Sequence, residues 1–316
     1  MSIFPPTAHP ALLRASILRP VGRERNAGIG LLLMLPIVVA MPLSEARATC
    51  VATGNVASLQ CSGSDIQMQG GAGASSLTVT DETRSSVAVL SNPSVSGPFV
   101  QTLTVDGTTV LSRADYPALY MYSSQADWDA NLFIGSDVSI TSAGPFGAVW
   151  LLSESNDSTT SNDIVVNSAA SVVSYGASAD GITATSNNGW VSITNAGDVT
   201  AAGGRGIYAD GGSASLSDVT VSISNSGSVH SYQAGLRAVN YRGTTVIENE
   251  GTVRSTTRQG IVGWSANGGV TIDNSGVVIA DHYDAVVAAG TGGNVSVTNS
   301  GSITANRNLN LSQVSP

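Results

Sequence analysis

A repeat with a period of about 25 residues constrains the fold of this chain more than any other feature of its sequence. Residues 191–199, VSITNAGDV, have close copies at residues 221–229, 245–253, 270–278 and 295–303, and a looser copy at residues 164–172. One asparagine marks each close copy, and successive asparagines lie 30, 24, 25 and 25 residues apart. A nearly fixed period of this length is typical of proteins built from stacked repeats.

The first three positions of each copy alternate apolar, polar and apolar, which is the period of a strand with one buried face. Asn195 and Gly197 predict a turn, because both residue types tolerate positive φ. Val199 then starts a second strand that faces the same interior. A single repeat buries too few aliphatic side chains to offset the entropy of ordering its backbone, so the copies must stack. The sequence therefore predicts an all-β parallel β-helix.

In such a stack, equivalent residues of successive repeats lie directly above one another. The repeat asparagines are therefore predicted to form one column, and they are Asn195, Asn225, Asn249, Asn274 and Asn299. An asparagine amide carries both donors and an acceptor, so a stacked row can satisfy the polar groups of its own turns. We interpret this column as a structural ladder rather than a ligand site.

Weaker copies of the same alternation begin at Leu77, Leu103 and Leu132, and a Gly-Ile or similar pair in each period marks a third strand. Together these patterns predict about nine coils over residues 77–306, preceded by an N-terminal cap at residues 49–76. Residues 307–316 are expected to be an uncapped tail, which would expose strand edges. The irregular segments 154–163, 186–189 and 210–218 are where we expect a variable contact surface.

Residues 1–48 are predicted to be an export signal peptide. They combine an arginine-rich start with an almost wholly apolar run at residues 27–41, and the small residues Ala46 and Ala48 precede a predicted cleavage between Ala48 and Thr49. A membrane anchor is the alternative, but the run is short and contains Pro36. In an exported protein, Cys50 and Cys61 predict one disulfide that clamps the entrance of the β-helix.

The charge of the chain argues against a nucleic-acid partner. The sequence has 13 basic and 22 acidic residues; residues 1–48 contain five of the arginines and two of the glutamates, so the remainder carries 8 basic and 20 acidic residues, a net charge of −12. Only 11% of the residues are charged and 35 are glycine, as expected for a thin, repetitive β structure.

No catalytic residue, cofactor or metal site is predicted. The sequence lacks the Gly-x-Ser-x-Gly, His-Glu-x-x-His and phosphate-loop motifs, and residues 70–75 have serine where the calcium-binding nonapeptide requires aspartate. His230 and His282 have no obvious relay partner. Residues 281–284, Asp-His-Tyr-Asp, are interpreted as a solvated turn, with a weak metal or catalytic site as the alternative.

Aromatic residues cluster in the early coils, and they are Tyr116, Tyr120, Tyr122, Trp128, Phe146 and Trp150. Tyr120 and Tyr208 fall on predicted outward positions of the third strand. A stripe that binds sugar or protein is one interpretation, since the rings offer flat apolar faces. Packing within the structure is the other.

The repeats at residues 191–199 and 206–209 (Gly-Ile-Tyr-Ala), with the cysteine pair after a long signal, resemble bacterial autotransporter passenger domains. The resemblance covers most of residues 49–305. It implies export through the inner membrane, a right-handed β-helix and display outside the outer membrane, commonly for adhesion. The chain departs from that family because it lacks the C-terminal translocator barrel, so a truncated product or a separate outer-membrane translocator is expected.

The first functional hypothesis is therefore a non-enzymatic, adhesin-like passenger that is displayed on the cell surface or secreted, or is periplasmic if no translocator is supplied. Its partners would be the export machinery and a surface ligand, either protein or glycan. The alternatives are a polysaccharide-degrading β-helix lyase or hydrolase, which needs clustered carboxylates in a groove, and a truncated product without function.

Overall fold

The described part of the chain consists of strands and turns, without a helix. The computed structural model describes residues 49–61, 63–91, 97–155, 161–212 and 219–306. The predicted signal peptide with Ala48, the predicted tail at residues 307–316, and residues 156–160 and 213–218 of the irregular segments lie outside these ranges. Within the described ranges, no helix has the length and hydropathy needed to cross a membrane.

Twenty-seven strands are present in these ranges. They are β1 (Thr49–Gln60), β2 (Asp65–Thr80), β3 (Thr83–Arg84), β4 (Ser86–Ser91), β5 (Phe99–Asp106), β6 (Val110–Arg113), β7 (Leu119–Ser123), β8 (Trp128–Ile134), β9 (Ser139–Ser142), β10 (Val149–Ser153), β11 (Ile164–Ser168), β12 (Ser171–Ser174), β13 (Ile182–Ser186), β14 (Val191–Asn195), β15 (Asp198–Ala201), β16 (Ile207–Gly211), β17 (Thr220–Asn225), β18 (Ser228–Ser231), β19 (Leu236–Asn240), β20 (Thr244–Asn249), β21 (Thr252–Ser255), β22 (Ile261–Ser265), β23 (Val270–Asn274), β24 (Val277–Ala280), β25 (Val286–Gly290), β26 (Val295–Asn299) and β27 (Ser302–Ala305).

From β2 onward the strands stack in three parallel ladders. Residues 65–70 of β2 begin the first ladder, which continues through β4, β7, β10, β13, β16, β19, β22 and β25. Residues 73–80 of β2 begin the second, through β5, β8, β11, β14, β17, β20, β23 and β26. The third comprises β3, β6, β9, β12, β15, β18, β21, β24 and β27. The outward sides of these ladders are called face 1, face 2 and face 3.

One strand from each ladder makes one coil, which is called a rung. The described residues contain nine rungs, with eight steps between successive rungs. The predicted parallel β-helix is confirmed. Its first rung begins at Asp65, within the segment predicted to form the cap.

The interior is a stack of aliphatic side chains. Val191 and Ile193 pair with Val221 and Ile223 of the next rung, and all four are at most 1% exposed. Burying each such side chain contributes about 2 kcal/mol. Alternation along each strand sends the intervening polar residues outward. Each rung is thus stable only because its neighbours cover it.

The repeat asparagines lie at the interior end of the second-ladder strands, in one column. Asn195 Nδ2 donates to the carbonyl oxygen of Gly197 in its own turn at 2.9 Å and to Asn225 Oδ1 of the next rung at 2.8 Å. The same pair of bonds recurs along the column as far as Asn299, with amide-to-amide distances of 2.6–2.9 Å. The column begins at Asn195, whose Oδ1 accepts no hydrogen bond among the described residues because Ser168 occupies the preceding rung.

The glycines of the Asn-x-Gly turns are needed for a reason other than the predicted one. None of Gly197, Gly227, Gly251, Gly276 and Gly301 has a positive φ, so the explanation from backbone conformation is wrong for them. A Cβ built on Gly227 would lie 2.0 Å from the carbonyl oxygen of Gly197, one rung earlier, and the other members meet the same obstacle. The rungs stack so closely here that there is no room for a side chain.

The N-terminal edge is covered by β1, which pairs antiparallel with almost the whole of β2. An exposed strand edge invites pairing with other chains, and β1 occupies this one. The disulfide joins Cys50 in β1 to Cys61 at its end, with a Cα–Cα distance of 6.1 Å, as the sequence predicts. It closes the chain around the segment that covers the first rung.

The C-terminal rung differs from the others. Val295, Val297 and Ile303 occupy interior positions but are 46%, 48% and 39% exposed, whereas Val270 and Ile272 of the preceding rung are fully buried. Among the described residues, therefore, no further rung covers β25, β26 and β27.

Candidate ligand-binding face

The three outward faces differ in chemistry. On faces 2 and 3 the outward positions are mainly serine, threonine and other polar residues, as in β14 and β15. On face 1 they include tyrosine, tryptophan and leucine, as in Leu119–Ser123 and Val149–Ser153. Because side chains alternate along a strand, these large apolar groups are excluded from the interior and collect on face 1.

Five rings form one continuous aromatic cluster on face 1. The cluster comprises Tyr116, Tyr120, Tyr122, Phe146 and Trp150. Phe146 stacks on Trp150 at a centroid distance of 5.1 Å and an interplanar angle of 7°, and Trp150 contacts Tyr120 at 5.4 Å. Tyr116 stacks on Phe146 at 5.8 Å, and Tyr120 on Tyr122 at 6.0 Å. Such offset arrangements are favourable beyond the area that they bury.

The cluster is positioned by the register of β7 and β10. Tyr120 pairs directly with Trp150, so their rings project from adjacent rungs on the same side. Tyr116 and Phe146 each lie three residues before their strand, in the turn that leads onto face 1, and are 56% and 43% exposed. The outward prediction for Tyr120 is confirmed, and its ring packs against neighbouring rings on the outer side of face 1.

Polar groups line the margins of the cluster. Arg113 donates to Asp65 and Asp115 at 2.6 and 2.8 Å, and its guanidinium lies 5.8 Å from the centroid of the Tyr116 ring. At the other side, the Tyr122 hydroxyl donates to Glu154 Oε2 at 2.9 Å. Burial, followed by the hydrogen bond and charge of Glu154, raises the pKa of Tyr122. The hydroxyl therefore remains a hydrogen-bond donor at physiological pH.

Two rungs further along face 1, a charged cluster surrounds Tyr208. Arg205 forms a bidentate ion pair with Asp180, with its closest contact at 2.7 Å, and its guanidinium lies 3.4 Å from the centroid of the Tyr208 ring. The Tyr208 hydroxyl donates to Asp210 Oδ2 at 2.5 Å. Burial raises the pKa of Asp210, although Tyr208, Arg205 and Arg237 act in the opposite direction. The outward prediction for Tyr208 is confirmed, and its two direct charged neighbours, Asp210 and Arg205, each have a partner.

The predicted solvated turn at residues 281–284 projects away from the interior. Asp281 accepts from Arg254 at 3.0 Å, and His282 Nδ1 lies 2.6 Å from the carbonyl oxygen of Thr256. His230 lies in β18 on face 3, so the two histidines belong to different elements. In the part of the chain that the structure describes, no three histidine, cysteine, aspartate or glutamate side chains group in a way that could hold a metal ion.

Comparison of the chain with protein-family models, curated proteins and solved structures finds no match. The sequence located the aromatic residues of the candidate site but not the contacts between rungs. The Arg205–Asp180 pair joins residues from turns of two successive coils, and no sequence motif marks it. Of the predicted cleavage pair, Ala48 lies outside the described residues and Thr49 begins β1.

Proposed function

We propose that this protein is an exported, non-enzymatic β-helix that binds a surface ligand, protein or glycan, through the aromatic cluster of face 1. The observation that carries the proposal is five rings, joined by four ring-to-ring contacts, on an outward face of a solenoid whose interior is already filled by aliphatic side chains. Exposed contiguous apolar surface of this kind is typical of interaction sites.

A binding role is favoured over hydrolysis or elimination. Such reactions on a glycan need carboxylates that are free to exchange protons with the substrate or to hold a cation. On face 1, Asp180 is held by Arg205, and Asp210 by the Tyr208 hydroxyl. These groups stabilise one another, which suits a rigid binding surface.

Export is supported by the disulfide, which indicates an oxidising environment. The resemblance to autotransporter passengers adds adhesion at the cell surface, with a separate outer-membrane translocator or further chain as the means of display. The stacked rungs support this role, because a solenoid presents many positions of one face to an extended ligand.

The test compares two tryptophans in the full exported chain. Trp150 belongs to the aromatic cluster, whereas Trp190 is 56% exposed in another turn and stacks on no ring among the described residues. Binding of Trp150→Ala and Trp190→Ala would be measured on arrays of immobilised glycans and extracellular proteins. We expect Trp150→Ala to lose about tenfold or more in affinity, as for a central interface residue, and Trp190→Ala to match the parent. Equal losses in both variants, or no binding by the parent to any array member, would overturn the proposal.

A further inference from the structure

The described arginines divide into paired and unpaired groups. Four of them form ion pairs with carboxylates: Arg84, Arg113, Arg205 and Arg254. The other three described arginines, Arg237, Arg242 and Arg258, form no ion pair with a described carboxylate. All three belong to two adjacent coils, so they concentrate positive charge locally in a chain whose net charge is −9.

These arginines span the width of face 1. Arg237 occupies an exposed outward position of β19, Arg242 lies in the turn that follows β19, and Arg258 lies in the turn that precedes β22. Strands β19 and β22 pair directly, with Leu236 opposite Ile261. Along the face 1 strands of these neighbouring rungs, Arg258 thus precedes a strand, Arg237 lies within one and Arg242 follows one.

Aromatic rings accompany the charges. Arg237 lies 5.8 Å from the centroid of Tyr208, and Arg258 lies 5.9 Å from that of Tyr283. Tyr241 meets Trp264 edge to face at 5.2 Å. Tyr241 and Tyr283 are 41% and 43% exposed, so their rings are accessible to a ligand. We call Arg237, Arg242, Arg258, Tyr241, Trp264 and Tyr283 the basic–aromatic patch.

We infer that the basic–aromatic patch binds the acidic groups of a linear polysaccharide. Guanidinium groups form paired, charge-assisted hydrogen bonds with carboxylates and sulfates, and aromatic rings contact the apolar faces of sugar rings. This inference rests on the proposed function, because the patch lies on the same face as the aromatic cluster. From Trp150 in β10 to Arg237 in β19 there are three rungs, about 14 Å along the axis, which an extended polymer bridges.

A polysaccharide fits better than a nucleic acid. The phosphates of a duplex are spaced about 1.7 Å apart along the axis, and the negative charge of the remaining protein surface repels such a dense array. A polysaccharide with one acidic group per one or two sugars presents few charges, each of which can meet one arginine.

The experiment measures binding of the full chain to four soluble polymers: polygalacturonate, dextran sulfate, neutral dextran and polyglutamate. The first two separate carboxylate from sulfate, dextran removes the charge, and polyglutamate removes the sugar. We expect at least one acidic polysaccharide to bind more tightly than both dextran and polyglutamate, with an affinity that falls as salt is added.

The decisive variants are Arg237→Gln and Arg258→Gln, alone and combined. Their matched control is Arg254→Gln, which removes the same charge from an exposed, ion-paired arginine on face 3. The double variant should lose about tenfold or more in affinity and the control less than twofold. Equal losses in the double variant and the control, no loss in either, or equal binding of polyglutamate would overturn the inference.

Trp150→Ala in the same assay separates this inference from the proposed function. If binding depends on Arg237 and Arg258 but not on Trp150, the basic–aromatic patch is the ligand site and the aromatic cluster is not. If binding depends on Trp150 but not on the arginines, the proposed function stands without this inference. Circular dichroism and thermal unfolding of each variant establish that the solenoid is intact.

Discussion

At each Asn-x-Gly turn, a single missing methyl group sets how closely two rungs can approach. A Cβ at Gly227 would lie 2.0 Å from the carbonyl oxygen of Gly197, and this neighbour is backbone that cannot rotate away. We expect Gly227→Ala to lower the free energy of unfolding by roughly 2 kcal/mol or more, the magnitude of an overpacked core. Chemical denaturation followed by circular dichroism measures the loss.

The control for this substitution is Ser228→Ala, at the next residue, whose side chain is exposed on face 3. It should change the free energy of unfolding by less than about 0.5 kcal/mol, as is usual at surface positions. If Gly227→Ala is as mild as Ser228→Ala, the rungs can separate locally and close stacking does not explain the glycine.

At the scale of the strand, β16 carries a carboxylate whose ionisation opposes folding. Burial raises the pKa of Asp210 above its ordinary value of 3.8. The native state therefore holds the proton more tightly than the unfolded state, so this group favours folding below about pH 3.8 and its contribution is lost as pH rises through the folded pKa. Asp210→Asn keeps an acceptor for Tyr208 and removes the titration.

We therefore expect Asp210→Asn to gain stability over the parent as the pH rises from 3 to 7. Urea unfolding at several pH values measures this difference. Asp198→Asn, which removes an exposed carboxylate from β15 on face 3, controls for the change in net charge. A gain that is independent of pH, or is reproduced by Asp198→Asn, would show that the burial of Asp210 is not the cause.

Most strands could be predicted from the sequence, because the repeat of about 25 residues places equivalent strands of all three ladders one above another. The recurrence of Val191 as Val221 fixes the register between these two strands, because a slip of one residue would turn the apolar side chains outward. The site could be predicted only in part. Alternation places Tyr120 outward, but the sequence does not reveal that Trp150, 30 residues later, is its direct partner, because coil length varies in this region. Nor does the sequence distinguish Arg205, which forms an ion pair, from Arg237, which forms none among the described residues.

At the scale of the whole molecule, the solenoid has one end that β1 covers and another end that no described strand covers. The stability of a solenoid is close to the sum of the intrinsic stability of each rung and the interface energies between neighbouring rungs. Local unfolding therefore begins at a rung that lacks a neighbour on one side. At the N-terminal end β1 pairs with β2, and the Cys50–Cys61 disulfide closes that segment. At the other end the interior side chains of β26 are nearly half exposed.

Amide hydrogen exchange followed by mass spectrometry should reveal this asymmetry. We expect β25, β26 and β27 to exchange first and the central rungs last, with β2 protected while the disulfide is intact. Reduction should increase exchange in β1 and β2 and leave the C-terminal rungs unchanged, because coupling in a solenoid passes only between neighbours. Uniform exchange along the chain, or a response to reduction that reaches β26, would mean that the nine rungs open as a single cooperative unit.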